Sequence, residues 1–148
     1  MRHKKRSIAA AIILAGLPLA ACNHDSAVHH KVEPAHVALI EGTELSRLTL
    51  TPKAMERLDI QTAFVQEAQV TRAPTPRKVV PYAAVLYDAS GRTWVYTRPE
   101  AHNFVRAQIV VDYIEGNLAV LSEGPPVGTE VVTVGGAELF GTEFDVGH

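Results

Sequence analysis

Cys22 is the only cysteine in this chain of 148 residues, so its thiol cannot form a disulfide within the molecule. It directly follows Leu19, Ala20 and Ala21. Small side chains before a cleavage point let a chain lie extended in a peptidase groove, which predicts a cut between Ala21 and Cys22. The thiol of Cys22 could then accept a diacylglyceryl group.

The residues before Cys22 have the order of a secretory signal peptide. Residues 8–19 are apolar except for Gly16 and Pro18, and this run is shorter than the roughly 20 residues that a membrane-spanning helix needs. Four basic residues precede the run, namely Arg2, Lys4, Lys5 and Arg6. The segment ending in Cys22 resembles the bacterial lipobox. That resemblance implies an exported protein, bound to membrane lipid through Cys22 and facing the periplasm or the exterior. An ordinary signal peptide followed by a free cysteine is the open alternative.

Histidines are concentrated just after the cysteine. His24, His29 and His30, close to Asp25 and His36, have the ligand chemistry that Zn²⁺ or Cu²⁺ prefers. Their spacing is irregular, however, and no predicted strand or helix presents them. A solvated tether is therefore the favoured interpretation, and we predict no metal site and no cofactor.

Motifs of catalysis are missing from the sequence. It contains no Gly-x-Ser-x-Gly, no phosphate-binding loop and no His-Glu-x-x-His. Ser46, Ser90 and Ser122 each fall in a predicted turn or strand end, where hydroxyls usually cap backbone groups. We therefore predict that the protein is not an enzyme.

The charge balance argues against nucleic acid as a partner. The formal net charge is −2, from 14 basic and 16 acidic residues. The four basic residues before Cys22 leave with a signal peptide, which gives a charge of −6 for the 127 residues that remain. Nucleic-acid-binding domains usually carry a basic surface instead.

The rest of the chain is patterned as short strands between turns. Residues 88–91 and Gly116-Asn117 are turn signals, and alternating apolar residues flank them. Thr51 followed by Pro52 is a helix-start signal, which predicts one short helix near residues 52–58. The predicted fold is mainly β, a small antiparallel β-barrel or sandwich.

Four aromatic residues in this part could form either a core or an exposed docking patch. We expect most of them to fill the core, because aromatic side chains dominate burial in a small domain. They are Tyr82, Trp94, Tyr96 and Phe104.

Composition divides the chain into six segments. We predict a lipoprotein signal peptide (1–21), a flexible tether (22–43), a strand–helix–strand segment (44–67), a linker (68–78), a β-domain (79–141) and a loose C-terminus (142–148).

Several segments, in order, resemble periplasmic adaptor subunits, or membrane fusion proteins, of resistance-nodulation-division efflux pumps. They are VPYAAV at 80–85, GRTWVY at 91–96, FVR at 104–106, GPPVGTEVV at 124–132 and VGGAELFG at 134–141. Residues 48–65 also resemble the strand that precedes the lipoyl-like domain in these adaptors. The resemblance implies a membrane-proximal domain in which N-terminal and C-terminal strands pair.

One departure from that family is large. The lipoyl-like domain, the α-helical hairpin and most of a β-barrel are missing, and residues 68–78 occupy the whole interval. The hairpin reaches the outer-membrane channel in full adaptors, so this short form should be unable to bridge two membranes.

Two functions follow as hypotheses. The first is a noncatalytic, lipid-anchored module that contacts an efflux transporter in transmembrane export. The alternative is a stand-alone metal- or ligand-binding lipoprotein that uses the histidine-rich tether.

Overall fold

The computed structural model describes residues 33–145, which form ten strands, two α-helices and one short 3₁₀ helix at Tyr82–Ala84. The predicted signal peptide, Cys22 and the three candidate metal ligands His24, His29 and His30 lie outside the described residues. The strands are β1 (Ala35–Leu39), β2 (Ser46–Leu50), β3 (Gln61–Phe64), β4 (Gln66–Ala68), β5 (Arg77–Pro81), β6 (Leu86–Tyr87), β7 (Thr93–Glu100), β8 (Asn103–Glu115), β9 (Leu118–Glu123) and β10 (Glu130–Val134). The helices are α1 (Pro52–Arg57) and α2 (Gly136–Asp145).

The sheet is antiparallel throughout its central path. The strand order is β3-β10-β7-β8-β9-β5-β4, and only Val65 separates the first strand of this path from the last. The bent segment Gln61–Ala68 therefore pairs with β10 through its first half and with β5 through its second half. The prediction of a mainly β, barrel-like antiparallel fold is confirmed.

Two apolar clusters lie on opposite faces of the central strands. Consecutive residues of a strand point to opposite faces, and Val95 packs in one cluster while Tyr96 packs in the other. The first cluster contains Val65, Val80, Ala84, Val95, Ile109, Ala119, Leu121 and Val131. The second contains Leu48, Leu50, Ala54, Tyr96, Phe104, Val132 and Leu139. Strand β7 is thus covered on both sides.

The outer layer is built from β1, β2 and the two helices. Strand β2 pairs with β1 on one side and with the start of β8 on the other. Helix α1 begins as expected, because the Thr51 hydroxyl accepts a hydrogen bond from the Ala54 N–H and Pro52 takes the first helical position. The single short helix predicted near residues 52–58 is confirmed.

Residues 68–78, the predicted linker, connect two paired strands. Ala68 is the register partner of Arg77, and Gln66 is the partner of Val79. The two prolines of this interval, Pro74 and Pro76, are exposed in the loop between β4 and β5. The interval is therefore a hairpin connection that holds the bent segment in the sheet.

Both ends of the described chain are more regular than composition indicated. Strand β1 lies within the range 22–43 that was predicted as a tether, and α2 continues to residue 145, through part of the range predicted to be loose. Tertiary contacts account for α2, since Leu139 is fully buried. Strand β1 is ordered by its pairing with β2.

Within residues 33–145, no helix has the length and apolar character needed to cross a membrane.

Candidate functional site

A buried ion pair joins the sheet to α2. Arg106 lies in β8 on the same face as the buried Phe104, and its Nε donates to Glu143 of α2, at 3.0 Å from Oε1 and 2.9 Å from Oε2. The side chains of Arg106 and Glu143 are only 7% and 2% exposed. A charge removed from water to this degree is tolerated only when it is paired. The pair therefore ties the position of α2 to the sheet.

Tyr96 completes this arrangement from the neighbouring strand. Its register partner in β8 is Arg106, and its hydroxyl donates a hydrogen bond to Glu143. Burial first, and then the hydrogen bond to the Glu143 carboxylate, raises the pKa of the Tyr96 hydroxyl far above its usual range. Tyr96 therefore remains a donor across all physiological pH.

Aromatic rings cover the Arg106 guanidinium. Its central carbon lies 4.3 Å from the ring centroid of Trp94 and 4.9 Å from that of Phe144. The ring of Phe140 packs against that of Phe144, with 4.7 Å between the two ring centroids. A guanidinium over aromatic faces gains cation–π attraction, which is larger when the group is desolvated. Helix α2 therefore contributes both a carboxylate and a ring to the same arginine.

The turn at residues 88–91 borders this cluster and is organised by Asp88. Its carboxylate accepts bonds from the Trp94 indole N–H at 3.1 Å, the Arg92 Nε at 2.7 Å and the Ser90 backbone N–H at 2.8 Å. Burial alone raises the pKa of Asp88, but the bonds from Trp94, the Arg92 backbone, Ser90 and the Arg92 side chain outweigh it and lower that pKa to about 2. Asp88 is thus charged at neutral pH, and it orients the Trp94 ring.

An open cavity of about 760 Å³ lies between this turn, α2 and the loop before β2. Its described lining includes Ser90 but no histidine or cysteine, so it presents no pair suited to nucleophilic catalysis. The lining residues are Glu44, Leu45, Asp88, Ala89, Ser90, Arg92, Trp94, Arg106, Gln108, Phe140 and Phe144. The lining combines two ion-paired arginines, Arg92 and Arg106, with the aromatic rings of Trp94, Phe140 and Phe144.

Three of the four aromatic residues singled out in the sequence are buried. Trp94, Tyr96 and Phe104 are 6%, 0% and 0% exposed, whereas Tyr82 is 45% exposed. Tyr82 and Tyr87 share a hydrogen bond between their side chains, which raises the pKa of Tyr87. Since Tyr87 is itself 56% exposed, the two tyrosines form an exposed aromatic pair beside β6.

Among residues 33–145, no three His, Cys, Asp or Glu side chains are grouped in a way that could hold a metal ion. His36 lies in β1 and His102 in the turn between β7 and β8, and both are exposed. His102 contacts the sulfur of Met55 at 3.0 Å.

Sequence reasoning missed the pairing of Arg106 with Glu143. The two residues are 37 positions apart, and Glu143 falls in the range predicted to be loose. One signal was present: alternation along β8 puts Arg106 on the face of Phe104, a residue expected in the core. A charged residue on a core face requires a buried partner.

No protein-family model and no curated protein matches the chain. Among solved structures, the chain is similar to a 180-residue fragment of SilB from Cupriavidus metallidurans CH34, which encompasses its N-terminal metal-binding site and membrane-proximal domain and was determined by NMR. The identity is 23% and the TM-score 0.45, over 58% of this chain and 48% of the other. The chain therefore spans about half the length of that solved fragment.

Proposed function

We propose that this protein is a noncatalytic lipoprotein that resembles the membrane-proximal part of an efflux-pump periplasmic adaptor and contacts a transporter at the membrane. The ordered sequence segments between residues 80 and 141 support this function. The proposal separates into a lipid anchor, a folded module and a protein partner, each of which is testable.

The observation that carries the proposal is the pairing of strands across the short connection at residues 68–78. The family resemblance implies a domain in which strands from before and after the missing domains pair with each other. The bent segment Gln61–Ala68 lies before the connection, and it pairs with β5 and β10, which both follow it. A chain that omits the intervening domains can therefore still complete its own sheet, as a module of this kind requires.

The anchor is proposed at Cys22. Replacing Cys22 with Ser removes the only thiol in the chain, so lipid cannot attach. We expect Cys22→Ser to move the protein from the membrane fraction to the soluble fraction and to abolish incorporation of radiolabelled palmitate. Ser26→Ala, four residues on, serves as the control and should remain membrane-bound. A Cys22→Ser protein that stays in the membrane fraction and still takes up label would contradict the anchor.

The partner is proposed to be an efflux transporter of the same membrane. The exposed pair Tyr82 and Tyr87 is the first place to look for the contact, because tyrosines are enriched at the energetic centres of interfaces. A photo-crosslinking residue at position 87 in the lipidated protein should capture an integral transport protein, identified by mass spectrometry.

The control for this experiment is the same crosslinker at Lys53, an exposed position on α1. It should capture the transporter less efficiently than position 87 if the tyrosine pair makes the contact. Failure to recover any transporter from positions 82, 87 and 53, and from a pull-down of the intact lipidated protein, would refute the proposed partner.

A further inference from the structure

Strand β8 is longer than its neighbour β7, and this leaves one side of its second half without a partner. Thr93, the first residue of β7, is the register partner of Ile109. Beyond Ile109, residues 110–115 pair with β9 on one side, and within residues 33–145 no strand pairs with their other side. Residues 110–115 therefore form an open edge of β8, where backbone N–H and C=O groups are available to another extended chain.

Exposed and half-buried side chains alternate along the open edge of β8. Val110 and Ile114 are 41% and 39% exposed, and Asp112 between them is exposed as well. The intervening side chains are only half-buried, so no other part of residues 33–145 covers this stretch completely. An added strand would place its own apolar side chains beside Val110 and Ile114, which removes apolar surface from water.

A cavity of about 440 Å³ lies where β7 stops and the open edge begins. The turn at residues 88–91 forms one wall, and β8 forms the other. The lining residues are Tyr87, Gly91, Arg92, Thr93, Gln108, Ile109, Val110 and Val111. The cavity gives an incoming chain room to start pairing with β8 at the point where β7 no longer does.

The two tyrosines of the proposed transporter contact lie near the two ends of the open edge. Tyr87 is the register partner of Thr93, and it lines the cavity. The backbone N–H of Tyr82 donates to the carbonyl of Asn117, which follows the open edge by two residues. The open edge is therefore continuous with the surface on which the proposed function relies.

A second copy of the chain fits this edge less well than a different chain does. In the antiparallel register that sets Val110 of one copy opposite Ile114 of the other, the two Asp112 carboxylates face each other. Like charges directly opposite each other destabilise a strand pair. Arg77 pairs with Asp112 at 3.1 Å, but the two side chains are 30% and 47% exposed, so this pair offsets the repulsion only in part.

We propose that the open edge of β8 binds an extended segment of the transporter, which adds to the sheet as a further strand. This inference rests on the proposed function and specifies how the partner is held. Main-chain hydrogen bonds supply the affinity, and side-chain contacts at alternate positions select the segment. The segment carries apolar residues beside Val110 and Ile114 and no acidic residue opposite Asp112.

A photo-crosslinking residue at position 112 of the lipidated full-length protein tests the contact directly. It should capture the same transporter as position 87, and mass spectrometry should place the crosslink in a segment with apolar residues at alternate positions. Position 38 is the control, because Ala38 is exposed in β1, whose only strand partner is β2. Capture from position 38 should be about tenfold weaker or less.

Amide hydrogen exchange is a second measurement, and it needs no substitution in the open edge. In the complex captured through position 87, peptides that cover residues 110–115 should exchange about tenfold more slowly than in the free protein, because new main-chain hydrogen bonds protect their N–H groups. Peptides that cover β1 should exchange at the same rate in both samples.

Ile114→Lys tests the side chains of the edge. A lysine on an edge strand disfavours the addition of another strand, so capture through position 87 should fall about tenfold, with an unchanged circular dichroism spectrum. Leu39→Lys is the matched control, since Leu39 is 78% exposed in β1. It should leave capture unchanged.

Capture of a transporter from position 87 but not from position 112, with unchanged exchange of residues 110–115, would overturn this inference and leave the proposed function standing. A crosslink from position 112 to a second copy of the chain would also overturn it. Failure to capture a transporter from any position would refute the proposed function, and the strand addition with it.

Discussion

Arg106 is the residue on which the interactions of the candidate site converge. Its guanidinium pairs with the Glu143 carboxylate of α2 and lies over the rings of Trp94 in β7 and Phe144 in α2. An arginine buried to this degree is stabilised only while its partner remains charged. The stability of the protein should therefore respond strongly to small changes at Glu143.

Glu143→Gln removes that charge while keeping the shape of the side chain. We expect it to lower the free energy of unfolding by about 3 kcal/mol or more, because Arg106 is left buried without a counter-ion. The measurement is urea denaturation followed by Trp94 fluorescence. Glu138→Gln makes the same change at an exposed position of the same helix and should alter stability by less than about 0.5 kcal/mol. Equal effects of the two substitutions would contradict the importance of the buried pair.

The lowered pKa of Asp88 predicts that the protein loses stability as the pH falls. Its pKa is about 2 in the folded protein and close to 3.8 when unperturbed, so its folded-state partners favour the charged form. The stabilisation is therefore fully present above about pH 4 and is lost as the pH falls from about 4 towards 2.

The test compares the original protein with Asp88→Asn by urea denaturation at several pH values. The original protein should have the higher midpoint at pH 7 and pH 5, and the difference should shrink between pH 4 and pH 2. Asp112→Asn, which removes an exposed pair with Arg77, should change the midpoint little. A difference between the original protein and Asp88→Asn that does not vary with pH would count against the role given to the carboxylate.

At the scale of elements, α2 is the part whose order depends most on distant contacts. It has one fully buried apolar residue, Leu139, in the cluster that also holds Tyr96 and Phe104. A helix of 10 residues is marginal by itself in water. Packing and the Glu143 pair must therefore supply its stability.

Leu139→Ala should destabilise the protein by about 2–5 kcal/mol, since it removes a fully buried side chain and leaves a cavity. The chain offers a matched control in Leu39, which is 78% exposed in β1. Leu39→Ala should change stability by less than about 0.5 kcal/mol. Thermal denaturation of both variants measures this difference in stability. Similar unfolding midpoints for Leu139→Ala and Leu39→Ala would show that α2 is not packed as described.

At the scale of the whole molecule, the bent segment Gln61–Ala68 brings the two ends of the sheet path together. Residues 1–32 precede β1 in the chain, and β1 starts at Ala35. The backbone N–H of Thr51 also donates to the carbonyl of Pro34. A deletion that tests the N-terminal histidines must therefore stop before Pro34, or it will disturb β1.

The histidines are better tested by substitution. Under the proposed adaptor-like role, the protein and its His24→Ala, His29→Ala, His30→Ala triple variant should bind Zn²⁺ equally weakly in calorimetric titrations. Tight binding by the original protein that is lost in the triple variant would favour the alternative of a metal-binding lipoprotein. Residues 33–145 should keep their structure in the triple variant, as circular dichroism would verify.

Local signals in the sequence determined much of the fold. The Thr51-Pro52 start of α1 and the turn glycines Gly91 and Gly116, at φ values of +78° and +60°, depend on the residues' own backbone preferences. Alternation along the strands likewise predicted which residues share a face. These features depend on neighbouring residues and not on distant ones, so the β architecture could be predicted from the sequence.

Only the tertiary structure decided the candidate site and the ends of the domain. Arg106 and Glu143 are separated by 37 residues, and no local pattern specifies their encounter. Helix α2 and β1 have weak signals of their own and are ordered by packing and pairing with distant strands. The reason is that a short segment gains its stability from the surface it meets, whereas a turn or a cap is set by its own residues.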